Sequence, residues 1–435
     1  MFLKSIIFST RLFVALKCFA MKNSCGIMLL NKNGELFVRI LHTADWHLGC
    51  KTDDLDRLEE QKDALKQVCA IAKERNVDLV IIAGDIYDSI IPTSDSEDLF
   101  YKTIIDLNND GNTAIVAIAG NHDEPKRMSN ANVFSHNFGI YLVGSTDSNK
   151  IKTGDNGKNI FATDYGKGFI KFQTRAGEKA VVAYLPYPSY YRYKETRKEG
   201  DNFNEKVKEW LKPGVSAFQD DTINILTAHI MACDLKLKKE ELELYTTLAN
   251  NTNTVNVEAI TTKAHYTALG HVHKCMSVSR EKNIYYSGSL INQFFNAGEN
   301  DTKVMLVDLD SSGVKRIEKI PLNVKKLKKF TGTSLLQAEL FCKDNPNDLV
   351  KAEVVKVDRI SIDEIKRVRE TYPNLVTLSI ITKEALSNHE VVSKKDIPID
   401  ELFDNFCIRK TGKPADEDIK ELFLELMSEE ENETD

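Results

Sequence analysis

Four things are scarce in this sequence of 435 residues, and each scarcity removes a class of protein. Cysteine is thinly spread. The eight residues form no Cys-x-x-Cys pair and no regular framework, which argues against a disulfide scaffold and a structural zinc site. Reduced thiols in a cytoplasmic protein are the plain reading. Long apolar runs are also lacking. Phe2 to Ala20 comes nearest, but Lys4, Arg11 and Lys17 interrupt it, so it makes a poor membrane span. Its early lysine, short apolar core and Ala20 before Met21 give it only the features of a weak signal peptide. Basic excess is absent: 58 Lys and Arg stand against 65 Asp and Glu, a net charge of −7. A nucleic-acid ligand would therefore need local basic patches and metal ions. No internal repeat is found, and this removes the solenoids.

What is present reads as a soluble globular chain, 42% hydrophobic and 28% charged. Its length implies two domains plus appendages. The organising stretch is Val77 to Asp88, VDLVIIAGDIYD. Its apolar, β-branched first half reads as a strand buried on both faces, ending at Gly84 with Asp85 beyond it. Four further blocks follow apolar stretches in the same way. They are LHTADWHLG from Leu41, AGNHD from Ala119, TAHI from Thr227 and GHVH from Gly270.

Between Val38 and Ala119 the pattern alternates strand and helix. Strands are expected over Leu36–Leu41, Val77–Ala83 and Thr113–Ala119, with helices over Asp53–Arg75 and from Ser94 to about Asn109. A capping box of Ser94 with Glu97 would start the second helix. Short links between such elements imply a parallel sheet with right-handed crossovers. That topology brings Asp45, His47, Asp85, Asn121 and His122 to one sheet edge, where α/β proteins gather ligands.

Any one block could be an ordinary turn. Their joint occurrence is the signal, because five of the nine histidines (His47, His122, His229, His271 and His273) stand at strand ends within them. His42 reads as a packed core residue, Cys50 as a neighbour of the site, and His136, His265 and His389 as structural or solvated.

Further along, Ile140–Pro186 reads as short strands and hairpins, Tyr190–Lys198 as a basic, aromatic, exposed loop, and Asn202–Phe218 as a helix. Ile223–Ile230 and Tyr266–Leu269 read as strands, and Ile284–Leu309 as a meander closing a second sheet. Lys325–Lys329 is a basic hinge. Beyond it, Lys351–Val357, Ser361–Thr371 and Leu375–Ile381 read as strand, helix and strand. Two amphipathic pieces, Ile399–Phe406 and Asp416–Met427, precede an acidic end.

Asp-x-His, Gly-Asp-x-x-Asp, Gly-Asn-His-Asp, a single His and Gly-His-x-His, in that order, resemble the calcineurin-like metallophosphoesterases. ILHTADWHLG and the Arg127 after GNHD are similar to one branch of them, the SbcD nuclease subunits of SbcCD DNA-repair complexes. The motifs cover Ile40 to about Ser289, and beyond that the likeness is one of layout.

The resemblance implies an α/β fold: a two-sheet β-sandwich flanked by helices, with a small α+β capping domain and a helical C-terminal tail. The nuclease domain would span 38–324, the cap 325–395 and the tail 396–435. Val38-Arg39-Ile40-Leu41 stands where that pattern usually begins with Met-Arg-Ile-Leu, so residues 1–37 read as an upstream extension outside the fold.

A two-metal site needs ions roughly 3.5 to 4 Å apart with a ligand shared between them, and a carboxylate bridges well. Asp85 is the natural bridge. The resemblance assigns Asp45, His47 and His273 to one metal and Asn121, His229 and His271 to the other. Imidazole, carboxylate and amide ligands without thiolate suit manganese or iron and admit zinc. The family points to Mn²⁺.

His122 would be catalytic, stabilising the phosphorane charge or protonating the leaving 3′ oxygen, with Asp123 orienting it. Asp88 fits the bacterial branch. Lys126 and Arg127 would contact substrate phosphate. Tyr190–Lys198 and Lys325–Lys329 read either as solvated loops or as DNA contacts.

The implied function is an Mn²⁺-dependent 3′→5′ exonuclease and endonuclease acting on DNA ends and hairpins. The implied partners are DNA and an SbcC-type coiled-coil ATPase, which the tail or the cap would meet, with a homodimer inside a heterotetramer and no membrane. Two rivals stand beside it: a small-molecule or cyclic-nucleotide phosphodiesterase of the same fold, and a non-catalytic scaffold for the ATPase.

Overall fold

The computed structural model describes residues 37–147, 151–196, 198, 200–233, 254–295, 302–356, 360–382 and 407. They fall into two compact units, one up to residue 195 and from 200 to 327, the other made of residues 196–199 and those from 328 onward. In the first, β1 (Val38–Thr43) leads through the short hairpin β2 (Lys51–Thr52) and β3 (Leu55–Asp56) into α1 (Leu58–Glu74). Then come β4 (Leu79–Ile82), α2 (Ser94–Asn108), β5 (Ala114–Ile118), α3 (Pro125–Asn130), α4 (Asn132–Ser135) and β6 (Ile140–Val143). The next stretch holds β7 (Ile160–Gly166), β8 (Phe169–Thr174), β9 (Lys179–Leu185), α5 (Tyr190–Tyr193), α6 (Phe203–Val215) and β10 (Ile223–His229). After these lie β11 (Ala232–Cys233), β12 (Val255–Asn256), α7 (Val257–Ile260), β13 (Tyr266–Gly270), β14 (Met276–Ser279) and β15 (Ile284–Tyr286). β16 (Lys303–Asp310) and β17 (Gly313–Pro321) are the last strands of this unit in chain order.

The first sheet has the order β17-β16-β1-β4-β5-β6, and the second β14-β15-β13-β10-β9-β8-β7. β1, β4, β5 and β6 run parallel, as do β9, β10, β13 and β15. The strands are apolar throughout because both faces are covered. Along β4, Leu79 and Ile81 pack in the cluster shared with Val182, Ile225 and Tyr266 of the second sheet. Val80 and Ile82 pack instead with Leu65, Val68 and Phe100 of the helices. On the outer face of the second sheet, Leu226 and Ala228 join Val207 and Trp210 of α6. His42 links the sheets. Its Nε2 donates to the Leu269 carbonyl at 3.1 Å, so Nδ1 accepts from the Tyr266 hydroxyl at 2.9 Å.

Four sequence expectations change. The helix expected from Asp53 starts at Leu58, because Asp53 takes a left-handed φ of 51° and the Asp56 carboxylate caps the Leu58 amide at 2.8 Å. The cap of α2 is Thr93, whose hydroxyl accepts from the Ser96 amide, and Glu97 turns to Arg127. The stretch Ile284–Leu309 is no meander: β15 lies in the second sheet, whereas β16 crosses to pair antiparallel with β1. Tyr190–Lys198 is not an exposed loop throughout. Tyr190–Tyr193 is a helical turn, and Tyr193 stacks on Trp210 at 4.3 Å while Tyr191 stays exposed.

The second unit holds a three-stranded sheet of β18 (Leu327–Gly332), β19 (Leu349–Lys356) and β20 (Leu375–Thr382) with α8 (Leu335–Asp344) and α9 (Ile362–Thr371). Its own core includes Ala338, Val350, Val354 and Val368, and Ser361 with Glu364 forms a capping box on α9. Lys328 and Lys329 pair with Asp348 and Glu353 at 2.9 and 3.0 Å, so this part of the basic hinge is occupied within the unit. The proposed extension before residue 37, His389 and the two amphipathic tail pieces lie outside the described residues.

Candidate metal centre

The five sequence blocks converge at the carboxyl ends of β1, β4, β5, β10 and β13. After β1 the chain keeps pairing with the loop after β4. Asp45, His47 and Leu48 donate their amides to the carbonyls of Gly84, Asp85 and Ile86 at 2.9, 3.0 and 2.9 Å. This course needs left-handed backbone at Asp45 (φ 52°), His47 (φ 44°) and Asp85 (φ 50°), and His271 also has positive φ at 99°. Such strain costs roughly 1 to 3 kcal/mol per residue and persists where the surroundings over-determine it. Here buried Gln61 supplies part of that hold. Its amide nitrogen donates to the Trp46 and His47 carbonyls at 2.9 and 2.7 Å, and its oxygen accepts from the Gly49 amide at 3.0 Å.

Asp85 sits at the middle. Its Oδ2 lies 3.4 Å from His47 Nε2 on one side and 3.3 Å from His229 Nε2 on the other. Its Oδ1 accepts from the His122 amide at 2.9 Å. Three clusters of mutually close donor atoms result: Asp45, His47 and His273; His47, Asp85 and His122; and Asp85, His229 and His271. Asn121 joins the third, with Oδ1 3.0 Å from both His229 Nε2 and His271 Nδ1.

The donor chemistry fits cations. His229 Nδ1 donates to the Ala83 carbonyl at 2.8 Å, which leaves Nε2 facing two oxygens, of Asn121 and Asp85. His47 Nε2 and His273 Nε2 face each other at 3.1 Å. Asp45 accepts from the His271 amide through Oδ1, but its buried Oδ2 has no hydrogen-bond partner. Lone pairs converging without enough protons between them are satisfied by divalent ions.

The local electrostatics show negative charge concentrated around Asp85. Burial pushes the Asp45 carboxyl up to about 7. Burial acts on Asp85 in the same direction, but the imidazoles of His229, His47 and His122 outweigh it and hold this carboxyl well below the usual range. Burial opposes charge on His229 and His47, yet their acidic neighbours win, taking His229 to about 9 and raising His47. His271 and His273 are driven down to about 3 by burial and by neighbouring imidazoles, so they present neutral nitrogens.

All seven sequence-nominated ligands thus meet, and His122 stands beside them with its ring 4.7 Å from that of His47. The orientation of His122 differs from expectation. Its Nδ1 lies 2.8 Å from the Asp88 carbonyl, while the Asp123 carboxylate accepts from the amides of Gly120, Ile86 and Tyr87 at 2.8, 3.1 and 3.0 Å. Asp123 therefore locks two loops together, and the carbonyl of Asp88 aims the imidazole. The Asp88 carboxylate lies 3.3 Å from His47 Nδ1, close enough for an ion pair but outside hydrogen-bond geometry. Arg127 pairs with Glu97 at 3.0 Å, and Lys126 is exposed.

Sequence reasoning missed Arg192. Its guanidinium donates to the carbonyls of Gly120, Asn121 and Asp123 at 2.7, 3.1 and 2.9 Å, clamping the Asn121-His122 loop. No local pattern marks it, because YYRYKETRK reads as basic surface. Gln61 was missed as well, although a glutamine on the apolar face of α1 was a usable signal.

Residues 38–275 match the model of the calcineurin-like phosphoesterases. The chain belongs to that family. The SbcD component of nuclease SbcCD from Bacillus subtilis is 30% identical over 91% of this chain and 99% of its own length. The corresponding SbcD of Staphylococcus epidermidis is 23% identical over 90% and 100%. Within the family the chain is of the SbcD type. A dimetal phosphatase from Danio rerio aligns over 66% of this chain and 99% of its own, at 12% identity and a TM-score of 0.33, too low to bear on function. Among the described residues no helix is long and apolar enough to cross a membrane.

Proposed function

We propose that this chain is the nuclease subunit of an SbcCD-type complex and hydrolyses DNA phosphodiesters at a two-metal site. The observation that carries the reading is the position of the Asp85 carboxylate between His47 and His229, the place of a bridging ligand. Asp45, His47 and His273 would hold one ion with Asp85, and Asn121, His229 and His271 the other. Mn²⁺ is the metal we assign because the family resemblance points to it; a donor set of nitrogen and oxygen without thiolate suits manganese and iron alike and admits zinc. When bound, the pair supplies Lewis-acid polarisation of the phosphate and an activated water.

The chain's own residues do the rest. His122 keeps its Nδ1 proton on the Asp88 carbonyl, so Nε2 is the atom that gives a proton to the leaving 3′ oxygen or stabilises charge on the phosphate. Arg192 and Asp123 fix the loop that presents Asn121 and His122. Arg127 and Lys126, at the start of α3, are assigned to substrate phosphate, which requires Arg127 to exchange Glu97 for it. We assign catalysis to residues 38–324, a capping role to 325–395, and contact with the coiled-coil ATPase to the cap or to the tail over 396–435.

End-labelled duplex DNA incubated with Mn²⁺, with and without the ATPase, is the direct test. Shortening from the 3′ end, abolished by chelation and stimulated by the ATPase, supports the reading. Hydrolysis of bis-p-nitrophenyl phosphate without any DNA cleavage would contradict it.

A further inference from the structure

Phe294 is exposed at the edge of the metal centre, at 59% of its surface, and its ring lies parallel to that of His273, 7° between planes and 6.2 Å between centroids. The chain leading to it is pinned at both ends. Leu290 and Ile291 are buried in the core, and Ser289 donates its amide to the His273 carbonyl at 3.1 Å. Just before the ring, buried Arg57 donates through Nη1 to the Asn292 carbonyl at 3.0 Å, and Thr52 Oγ1 donates to the Gln293 carbonyl at 3.0 Å. Arg57 also donates to Thr52, and Glu60 accepts from its Nε and Nη2 at 3.0 and 2.8 Å. Burying an ion pair is costly unless its hydrogen bonds are well made. In this network the guanidinium and the threonine hydroxyl converge on the carbonyls of the two residues before Phe294.

An aromatic side chain at a site rim normally gains by burial, about 2 to 3 kcal/mol for a phenylalanine. Here the fold fixes the backbone and leaves most of the ring in solvent, beside a side chain of the cleavage site. Aromatic rings presented in this way stack on bases with little regard to sequence.

We propose that Phe294 is a stacking platform for the nucleobase next to the scissile phosphate, so that the site recognises a nucleotide and not merely a phosphodiester. The proposal rests on the nuclease reading. It gives the substrate class a residue of its own, outside the ligand set.

The test uses the full chain with Mn²⁺ and two end-labelled oligonucleotides, one with a normal nucleotide flanking the cut and one with a tetrahydrofuran abasic residue there. The wild type is expected to favour the normal strand by about 10- to 100-fold in kcat/KM, as loss of one base–aromatic stack implies. Phe294→Ala is expected to bring that ratio within about threefold by losing activity on the normal strand, and Phe294→Trp to restore it. Bound manganese is expected to stay the same in both variants. Equal losses on the two strands, or loss of metal in Phe294→Ala, would overturn the platform and make the ring a prop for His273. A wild type that cuts neither strand but hydrolyses bis-p-nitrophenyl phosphate would instead overturn the nuclease reading beneath it.

Discussion

Substituting Gly120 by alanine should disable the site through one methyl group. A Cβ built at Gly120 would lie 2.2 Å from both Asp85 Oδ1 and the Asp85 amide nitrogen, and 2.7 Å from Asp85 Cγ. Real Cβ atoms essentially never approach other heavy atoms within 3.0 Å, so the carboxylate or its loop must move by about 1 Å. The loop cannot give easily. Gly120 itself donates to Asp123, and its carbonyl accepts from Arg192. A misplacement of about 1 Å at a reacting centre can cost 10²-fold in rate, and here it falls on the proposed bridging ligand. Gly120→Ala is therefore expected to lower kcat/KM at least 10²-fold and to reduce bound manganese below two per chain. Overpacking should destabilise the fold by only about 1 to 3 kcal/mol. Gly177→Ala is the control. Its φ of +105° makes alanine strained, but no atom lies within 4 Å of the added Cβ, so it should cost about 1 to 3 kcal/mol of stability and no activity. Metal analysis, turnover of a diester and urea unfolding on both variants decide the matter. A Gly120→Ala enzyme with two metals and activity within fivefold of wild type would refute the reasoning.

His122→Gln keeps all seven proposed ligands, and should retain both metals while turnover falls by roughly 10² to 10⁴-fold. Loss of a metal would make His122 a ligand. Arg192→Lys cannot reproduce three hydrogen bonds from one planar fork, and manganese titration should show affinity or activity down by about 10- to 100-fold. An unchanged titration would reduce Arg192 to packing. His42 is carried by burial down to about 3 from an ordinary 6.5. Its folded pKa is depressed, so its contribution is complete above pH 6.5 and is lost as pH falls from there toward 3, by about 1.4 kcal/mol per pH unit. Urea unfolding at pH 7.5 and pH 5 should show the gap between wild type and His42→Gln narrowing by about 2 kcal/mol, and a constant gap would contradict this.

Much of the site was legible because its residues follow strand ends. Parallel strands deliver their carboxyl termini to one edge, so Asp45, Asp85, Asn121, His229 and His271 could be grouped once each preceding apolar run was read as a strand. The packing role of His42 was legible too, since it falls inside a buried run. Interactions made across long sequence separations were not. Arg192 reads as one more charge in a basic stretch, and only the carbonyls of a loop some 70 residues earlier draw it inward. Asp123 adjoins His122 in sequence and so looked like its partner, yet three amides from two loops hold its carboxylate. The return of β16 to β1 was hidden for a similar reason. Its alternating apolar pattern suits either sheet, and pairing with a strand some 270 residues away leaves no local trace. β18 and α8 were overlooked because the lysine run suggested a hinge, whereas Lys328 and Lys329 lie within β18 and pair with Asp348 and Glu353, just before and within β19.

The central claim is that Asp85 is shared by two ions in one phosphodiesterase centre. Metal content and diester turnover measured on the same samples of wild type and Asp85→Asn test it most directly. Two manganese ions per chain in the wild type, with both metal binding and turnover collapsing together in Asp85→Asn, is the result the account expects. A variant that keeps two ions and its turnover without that carboxylate would contradict it.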